Sequence, residues 1–435
     1  MKDIENAGDG QGVWHATDAA AASNTGTAEA VVTGTAAAGA TGAVTAAPAP
    51  LQADVAICGA GPVGLALAAL LARRGVAGQR IALVDARSLG QAISDPRSIA
   101  LSWGSRMLLE DVGAWSHIAQ TATPIHEIHV SRRGHLGRSM MDRAEHGLEA
   151  LGYVARYGDV VDALARACER AGVQVLRPLR VASLDEGRDH VLLQLDDGRA
   201  LQARVAVQAE GGVFGAQPEK AQGRDYGQTA VIARVSSAAP IPHRAFERFT
   251  DEGPLALLPQ EGPDGHQYAL VWCVRPERAQ QLLGLGTDDF LRELGEAFGE
   301  RLGVFTRVSE RVAFPLGLSA DARASSRTVA IGNAAQTLHP VAGQGLNLGL
   351  RDAAVLGRLL ARGLDADGGV ADAIGRFIGE RERDRGAIIR STDAMARVFA
   401  GKGPQQALFG LALAALDAVK PARLMLAELM MFGRR

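Results

Sequence analysis

No stretch of this 435-residue sequence runs for 18 apolar residues, so no segment reads as a membrane-spanning helix. The N-terminus has no basic flank leading into an apolar block, and a secretory leader is not expected. Cysteine is scarce. Cys58, Cys168 and Cys273 lie far apart, which excludes a disulfide framework and a metal-type cysteine pair. Neither sign of charge dominates: 46 Lys and Arg stand against 48 Asp and Glu, a formal net charge of -2. Such a balance gives the chain no overall attraction to nucleic acid or to anionic lipid. A cytoplasmic setting is expected. Peripheral contact with the inner membrane stays open, because surface attachment needs only an amphipathic face or a partner.

What is present is the composition of a protein with a sizeable core, 47% apolar and 22% charged. The length exceeds the roughly 250 to 300 residues of a single core, so two packed lobes are expected. Residues 1–52 are rich in Ala, Gly and Thr and poor in large apolar groups, and read as a disordered tail. Asp54 to Ile57 reads as a buried strand, Pro62 to Arg74 as an apolar helix ended by Gly75, and Ile81 to Asp85 as a second strand. Together they predict a parallel strand, helix, strand unit. Thr229–Val235, Leu255–Pro259 and Tyr268–Val274 predict an antiparallel sheet. The strand Thr328–Ile331 and a helix from Leu346 to about Arg362 follow, then further helices. The expected division is the tail (1–52), a nucleotide-binding domain in two parts (53–222 and 316–400), an inserted sheet domain (223–315) and C-terminal helices (401–435).

Two motifs carry chemistry. The first is GAGPVG, with Gly59, Gly61, Pro62 and Gly64 between a strand and a helix. Asp85 ends the next strand roughly 20 residues on, as the dinucleotide fingerprint requires. The glycines allow a tight turn and close backbone approach to a pyrophosphate, the helix start offers free amides, and Asp85 can accept from ribose hydroxyls. A turn of purely structural use is the bland alternative. The second motif, TVAIGNAAQTLHPVAGQGLNLGLRDAAVLG from Thr328, contains a strand, a small-residue loop, Pro340, and Gly343-Gln344-Gly345 leading into a helix.

Paired in this way, the motifs resemble class A flavoprotein monooxygenases. The form GNAAQTLHP resembles the branch of 2-polyprenyl-6-methoxyphenol hydroxylases of ubiquinone biosynthesis. DPRSIALSWGSRMLLEDVGAW from Asp95, QTAVIARV from Gln228 and RVAFPLGL from Arg311 agree with that branch, and the resemblance spans about residues 54 to 400. It implies an α/β fold: a Rossmann-like FAD-binding domain of glutathione-reductase-like topology, an inserted antiparallel-sheet substrate domain and a helical C-terminus. It implies FAD as cofactor and NADPH or NADH as co-substrate. The implied chemistry is oxygen transfer from a flavin C4a-hydroperoxide to the ring of a polyprenyl phenol, with membership of a ubiquinone-biosynthesis complex open. A flavin hydroxylase of another phenol, or a non-catalytic flavoprotein subunit, are the alternatives.

Residue by residue, the resemblance puts Gly59, Gly61, Pro62, Gly64 and Asp85 on the ADP half of FAD. It puts Arg97 near the flavin or pyrophosphate, and Gly332 and Asn333 by the ribityl or pyrophosphate region. His339, Pro340, Gly343, Gln344, Gly345 and Asn347 fall at the flavin edge, where a helix start stabilises negative charge on a reduced flavin. Asn333 replaces the family's usual Asp, and Glu210-Gly211 its usual Asp-Gly. Arg87 reads as a solvated loop residue or as a partner for a 2′-phosphate. His126 and His129 lack further ligands at matching spacing, so no metal site is expected. Cys58 reads as a small buried hydrophobe, and the apolar stretch Leu408–Met431 as a packing helix, with membrane contact as its alternative.

Overall fold

A short apolar run whose residues alternate between two faces opens the fold. In the computed structural model, which describes residues 49–134, 138–210, 223–262, 265–320, 324–337, 343–366, 369–400 and 419–433, it forms the strand β1 (Leu51–Cys58). The helix α1 (Pro62–Arg73) and the strand β2 (Ile81–Val84) follow. Val55 and Ile57 enter one apolar core, while Ala56 and Cys58 enter another on the opposite face, as the two-residue period of a strand dictates. Pro62 stands in the first turn of α1, where a missing N–H costs nothing. The expected tail lies outside the described residues as far as residue 48, and Leu51 and Gln52, inside its expected bounds, already pair with Leu201 and Gln202.

The next stretch holds α2 (Leu89–Ile93), β3 (Ser98–Ser102), α3 (Trp103–Asp111), α4 (Trp115–Ile118) and the strands β4 (Thr123–Ile125), β5 (Glu127–Arg132), β6 (Arg138–Asp142) and β7 (Gly152–Arg156). Then come α5 (Tyr157–Arg170), β8 (Gln174–Leu176), β9 (Val181–Glu186), β10 (Val191–Leu195) and β11 (Ala200–Gln208). Downstream lie β12 (Gly223–Ser237), β13 (Arg244–Phe249), β14 (Pro254–Gly262), β15 (Gly265–Val274), α6 (Pro276–Gly284), α7 (Thr287–Phe298), β16 (Phe305–Val308) and β17 (Val312–Ala320). The chain closes with β18 (Thr328–Ala330), β19 (Gln336–Thr337), α8 (Gln344–Gly363), α9 (Gly369–Ala400) and α10 (Lys420–Phe432).

The first sheet has the order β8-β2-β1-β11-β10-β9, with β18 paired to β11. Strands β8, β2, β1, β11 and β18 are parallel, and β10 and β9 form an antiparallel extension. Helices α1, α5 and α8 pack on one face. In α5 the buried residues Val160, Val161, Leu164, Ala167 and Cys168 follow helical spacing.

The second sheet runs β19-β17-β12-β15-β14-β13-β5-β6, with β16 on β12. It is not confined to residues 223–315: β5 and β6 come from well before it, and β17 continues to Ala320. Strand β5 lies parallel to β13 and covers an edge that would otherwise present unpaired backbone groups. Phe246, Tyr268 and Trp272 pack against Phe290 and Phe298 of α7. Burial of each such ring stabilises the fold by about 1.5–3 kcal/mol. Among the described residues no helix is long and apolar enough to cross a membrane.

His129 lies buried on β5, its ring 5.7 Å from that of Phe246 and its Nδ1 3.0 Å from Arg301 Nη1. Burial and the positive charge of Arg301 pull its pKa down to about 4. The unfolded chain takes up this proton near pH 6.5, so the stability present above that pH is lost as the pH falls toward 4. Denaturant unfolding at a series of pH values is expected to show this loss in the wild type and a shallower slope between pH 6.5 and 5 in His129→Gln. Superimposable profiles would contradict it.

Candidate functional site

Strand β11 lies between β1 and β18 in parallel register, with Cys58 opposite Gln208 and Gln208 opposite Ala330. The carboxyl ends of the three strands therefore stand side by side, at the position where open α/β sheets bind ligands. From β1 the chain turns at Gly59, whose φ of +106° favours glycine and where a Cβ would sit 2.7 Å from the backbone of Ala209. A Cβ on Gly64 would collide with the Gly59 carbonyl, so α1 starts directly on the turn. The turn is stitched to the sheet by the Gly59 N–H, which donates to the Val84 carbonyl at 2.7 Å. Asp85 locks it from the side: Oδ2 accepts from the Ala60 N–H at 2.7 Å and Oδ1 from the Arg87 N–H at 2.8 Å.

From β18 the second turn leaves the same edge, with the Ile331 N–H donating to the Gln208 carbonyl at 2.9 Å. Gly332, Asn333 and Ala334 make one tight turn. A Cβ on Gly332 would lie 3.2 Å from Val63 Cγ1, and one on Gly349 would lie 2.7 Å from Val63 Cγ2. Val63 belongs to the first motif, so the two motifs meet on one side chain. The Gly332 N–H donates to Asp352 Oδ2 at 3.1 Å. Asp352 is fully buried and also accepts from Arg381 Nε at 2.7 Å and Arg385 Nη2 at 2.8 Å.

Helix α8 is preceded by Gly343, in the left-handed region at φ +58°, and no side chain caps its first amides. This leaves a positive dipole end at the turn. Gln344 is buried, and Gly345 faces open space where a Cβ would meet nothing within 4 Å. Asn347 is engaged on all sides. Its Oδ1 accepts from the Ser102 N–H at 2.8 Å and the Ser105 hydroxyl at 2.7 Å, and its Nδ2 donates to the Ala100 and Gly343 carbonyls, both at 2.9 Å. With two lone pairs and two N–H groups used, this side chain holds the turn in place and has no group left for a ligand. His339, Pro340 and Gly211 lie outside the described residues.

Arg97 grips Asp95 with two bonds, Nε to Oδ1 at 2.8 Å and Nη2 to Oδ2 at 2.7 Å, and its guanidinium lies 4.6 Å over the ring of Tyr157. Burial works against the charge on Asp95, but the Arg97 bonds hold its carboxyl below the usual range. Tyr157 carries Arg97 to the first motif, since a Cβ on Gly61 would sit 3.1 Å from the Tyr157 hydroxyl. Arg87 stands 4.0 Å from both Asp85 and Asp95, so it is neither buried nor simply solvated. Burial, with Glu210 adding to it, pushes the Cys58 thiol up to about 12, so it stays uncharged. Tyr157 and Asp352 escaped the sequence reading. Asp352 had a signal in the RDA of the second motif, whereas Tyr157 had none.

The family model described as "FAD binding domain" matches residues 52–373. The chain belongs to this FAD-binding family. The expected Rossmann-like flavoprotein fold is thus present, and FAD is the cofactor. Among its relatives is a ubiquinone hydroxylase, UbiL, from Rhodospirillum rubrum, 33% identical over 80% of this chain and 82% of the relative. Another is the 3-demethoxyubiquinol 3-hydroxylase of Escherichia coli, 30% identical over 69% of this chain and 77% of that protein. The p-nitrophenol 4-monooxygenase PnpA of Pseudomonas putida shares the fold at a TM-score of 0.70 and 19% identity, over 89% of this chain and all of that one. The residues present suit FAD: a cradle that any Cβ would fill at Gly59 and Gly64, Asp85 beside it, and an uncapped helix start at Gly343 on the same side of the sheet.

Removal of the Asp352 carboxylate would take from the buried Arg385 the carboxylate it pairs with and leave the buried Arg381 to Asp384. Asp352→Ala is expected to cost about 3–5 kcal/mol of unfolding free energy, measured by denaturant titration. An unchanged midpoint would show that the cluster does not hold the second turn.

Proposed function

We propose that this protein is an FAD-dependent monooxygenase that hydroxylates the aromatic ring of a polyprenyl phenol in ubiquinone biosynthesis, with NADPH or NADH as reductant. The observation that carries this reading is the meeting of two distant glycine turns on Val63, in a chain one-third identical to a ubiquinone hydroxylase over most of its length. Bound and reduced FAD supplies activation of dioxygen and transfer of one oxygen atom to an electron-rich ring.

The protein's part is to bind, orient and exclude water. The backbone of Gly59, Gly61 and Gly64 and the start of α1 at Pro62 would receive the pyrophosphate, and Asp85 would accept from the adenosine ribose. Arg97, held by Asp95 and Tyr157, adds positive charge on that side. Gly332 and Asn333 would line the middle of the cofactor, and Gly343, Gln344 and Gly345 would set the dipole of α8 toward its flavin end, with Asn347 holding the turn. The second sheet approaches through Gln260 on β14, whose Nε2 donates to Ser98 on β3 at 2.7 Å. The ring and prenyl tail would lie between that sheet and the flavin, shielded from water that would divert the oxygen. A substrate of this kind is delivered from a membrane surface or by a partner protein of the same assembly.

The test is complementation of a strain deleted for its ubiquinone ring hydroxylases, with mass spectrometry of the quinone intermediates. The expected result is disappearance of one intermediate and gain of one oxygen atom in its product. A yellow protein that consumes NAD(P)H and restores no hydroxylation would contradict the substrate assignment.

A further inference from the structure

Arg177 follows β8, the outer parallel strand, next to the end of β2, where the Asp85 N–H donates to the Leu176 carbonyl at 3.1 Å. Its side chain is only 8% exposed. Nη2 donates to the carbonyl of Ala60, inside the GAGPVG turn, and lies 3.9 Å from Asp85 Oδ2. Nε and Nη1 are also buried, and neither has a hydrogen-bond partner among the described residues.

A guanidinium withdrawn from water with two of its nitrogens idle is unfavourable unless something else fills them. Burial draws its pKa below the usual arginine value, while Asp85 works in the opposite direction. Fastening Ala60 occupies one nitrogen and does not account for the rest. The cluster also has a complementary chemistry: Asp85 offers only acceptors and Arg177 only donors. A hydroxyl both donates and accepts, so one set between them satisfies both. The position, at the carboxyl ends of parallel strands beside the glycine turn, is where the nucleoside end of a dinucleotide lies.

We propose that Arg177 and Asp85 act as a donor–acceptor pair for a ribose hydroxyl in the adenosine half of FAD, which makes Arg177 a determinant of cofactor affinity. The proposal rests on the FAD reading of the site. Its test is titration of the apoproteins of the wild type, Arg177→Met and Arg177→Lys with FAD, ADP, 2′-deoxy-ADP, 3′-deoxy-ADP and riboflavin, using calorimetry and flavin fluorescence, with apoprotein melting measured in parallel.

Arg177→Met is expected to weaken FAD and ADP by about 10- to 100-fold, as loss of a charged hydrogen bond does, and to leave riboflavin unaffected. The wild-type preference for ADP over one of the deoxy analogues is expected to shrink in the same variant. Lysine keeps the charge and can still reach Ala60 but lacks the idle edge, so Arg177→Lys is expected to melt like the wild type and still lose that preference. FAD and ADP affinities within twofold of wild type would overturn the proposal. Equal losses for riboflavin and ADP, accompanied by a lower apoprotein melting temperature, would show a purely structural fastener and overturn it too. A wild type that binds ADP with the expected ribose preference but not FAD would support the pair and strike the FAD reading alone.

Discussion

The parallel pairing of β11 with both β1 and β18 is the constraint on which the site depends. It aligns Cys58, Gln208 and Ala330 at one edge, so two turns far apart in sequence leave the sheet as neighbours. From there small residues do the rest. Gly332 and Gly349 let α8 and the second turn close onto Val63, and bulkier residues would force the motifs apart. The buried Asp352 carboxylate then ties the second turn to two arginines of α9, which gives a loop the fixity of a helix pair. An ion cluster of this kind is a costly way to gain stability, and its value here lies in fixing one geometry.

Positioning in this molecule is carried mostly by residues that do not themselves face a ligand. Asn347 spends every hydrogen-bonding group on Ala100, Ser102, Ser105 and Gly343, joining β3 and α3 to the start of α8. Asp95 and Tyr157 do the same for Arg97. The second sheet is anchored to β3 and β4 by links that include Gln260 to Ser98 and the Glu261 N–H to the Thr123 hydroxyl at 3.1 Å. These links give the second sheet and the glycine turns a common frame, which ring hydroxylation needs if the reacting atoms are to be held in place.

The first motif was legible because all its determinants are local. The strand, turn, helix and acid lie within one short stretch, and the observed ends of α1 and β2 fall within one residue of the predicted ones. The second motif was legible through its resemblance and its glycine spacing. What escaped the reading depends on distant pairing. Nothing in the periodicity of 127–132 announces that β5 will lie beside β13, and the sheet domain was therefore drawn too narrowly. Arg177 belongs to neither motif, and its place beside the first turn follows only from the pairing of β8 with β2. Asn347 sits within a motif associated with ligand binding, and only the coordinates of four separate partners reveal that it is a brace.

The central claim is that one flavin nucleotide spans both glycine turns. Hydrogen exchange of the apoprotein across an FAD titration, followed by peptide mass spectrometry, measures this directly. The account predicts slowed exchange in residues 59–64 and in 343–347 together, with the same half-saturating FAD concentration. Protection confined to one turn, or arising at two different concentrations, would contradict it.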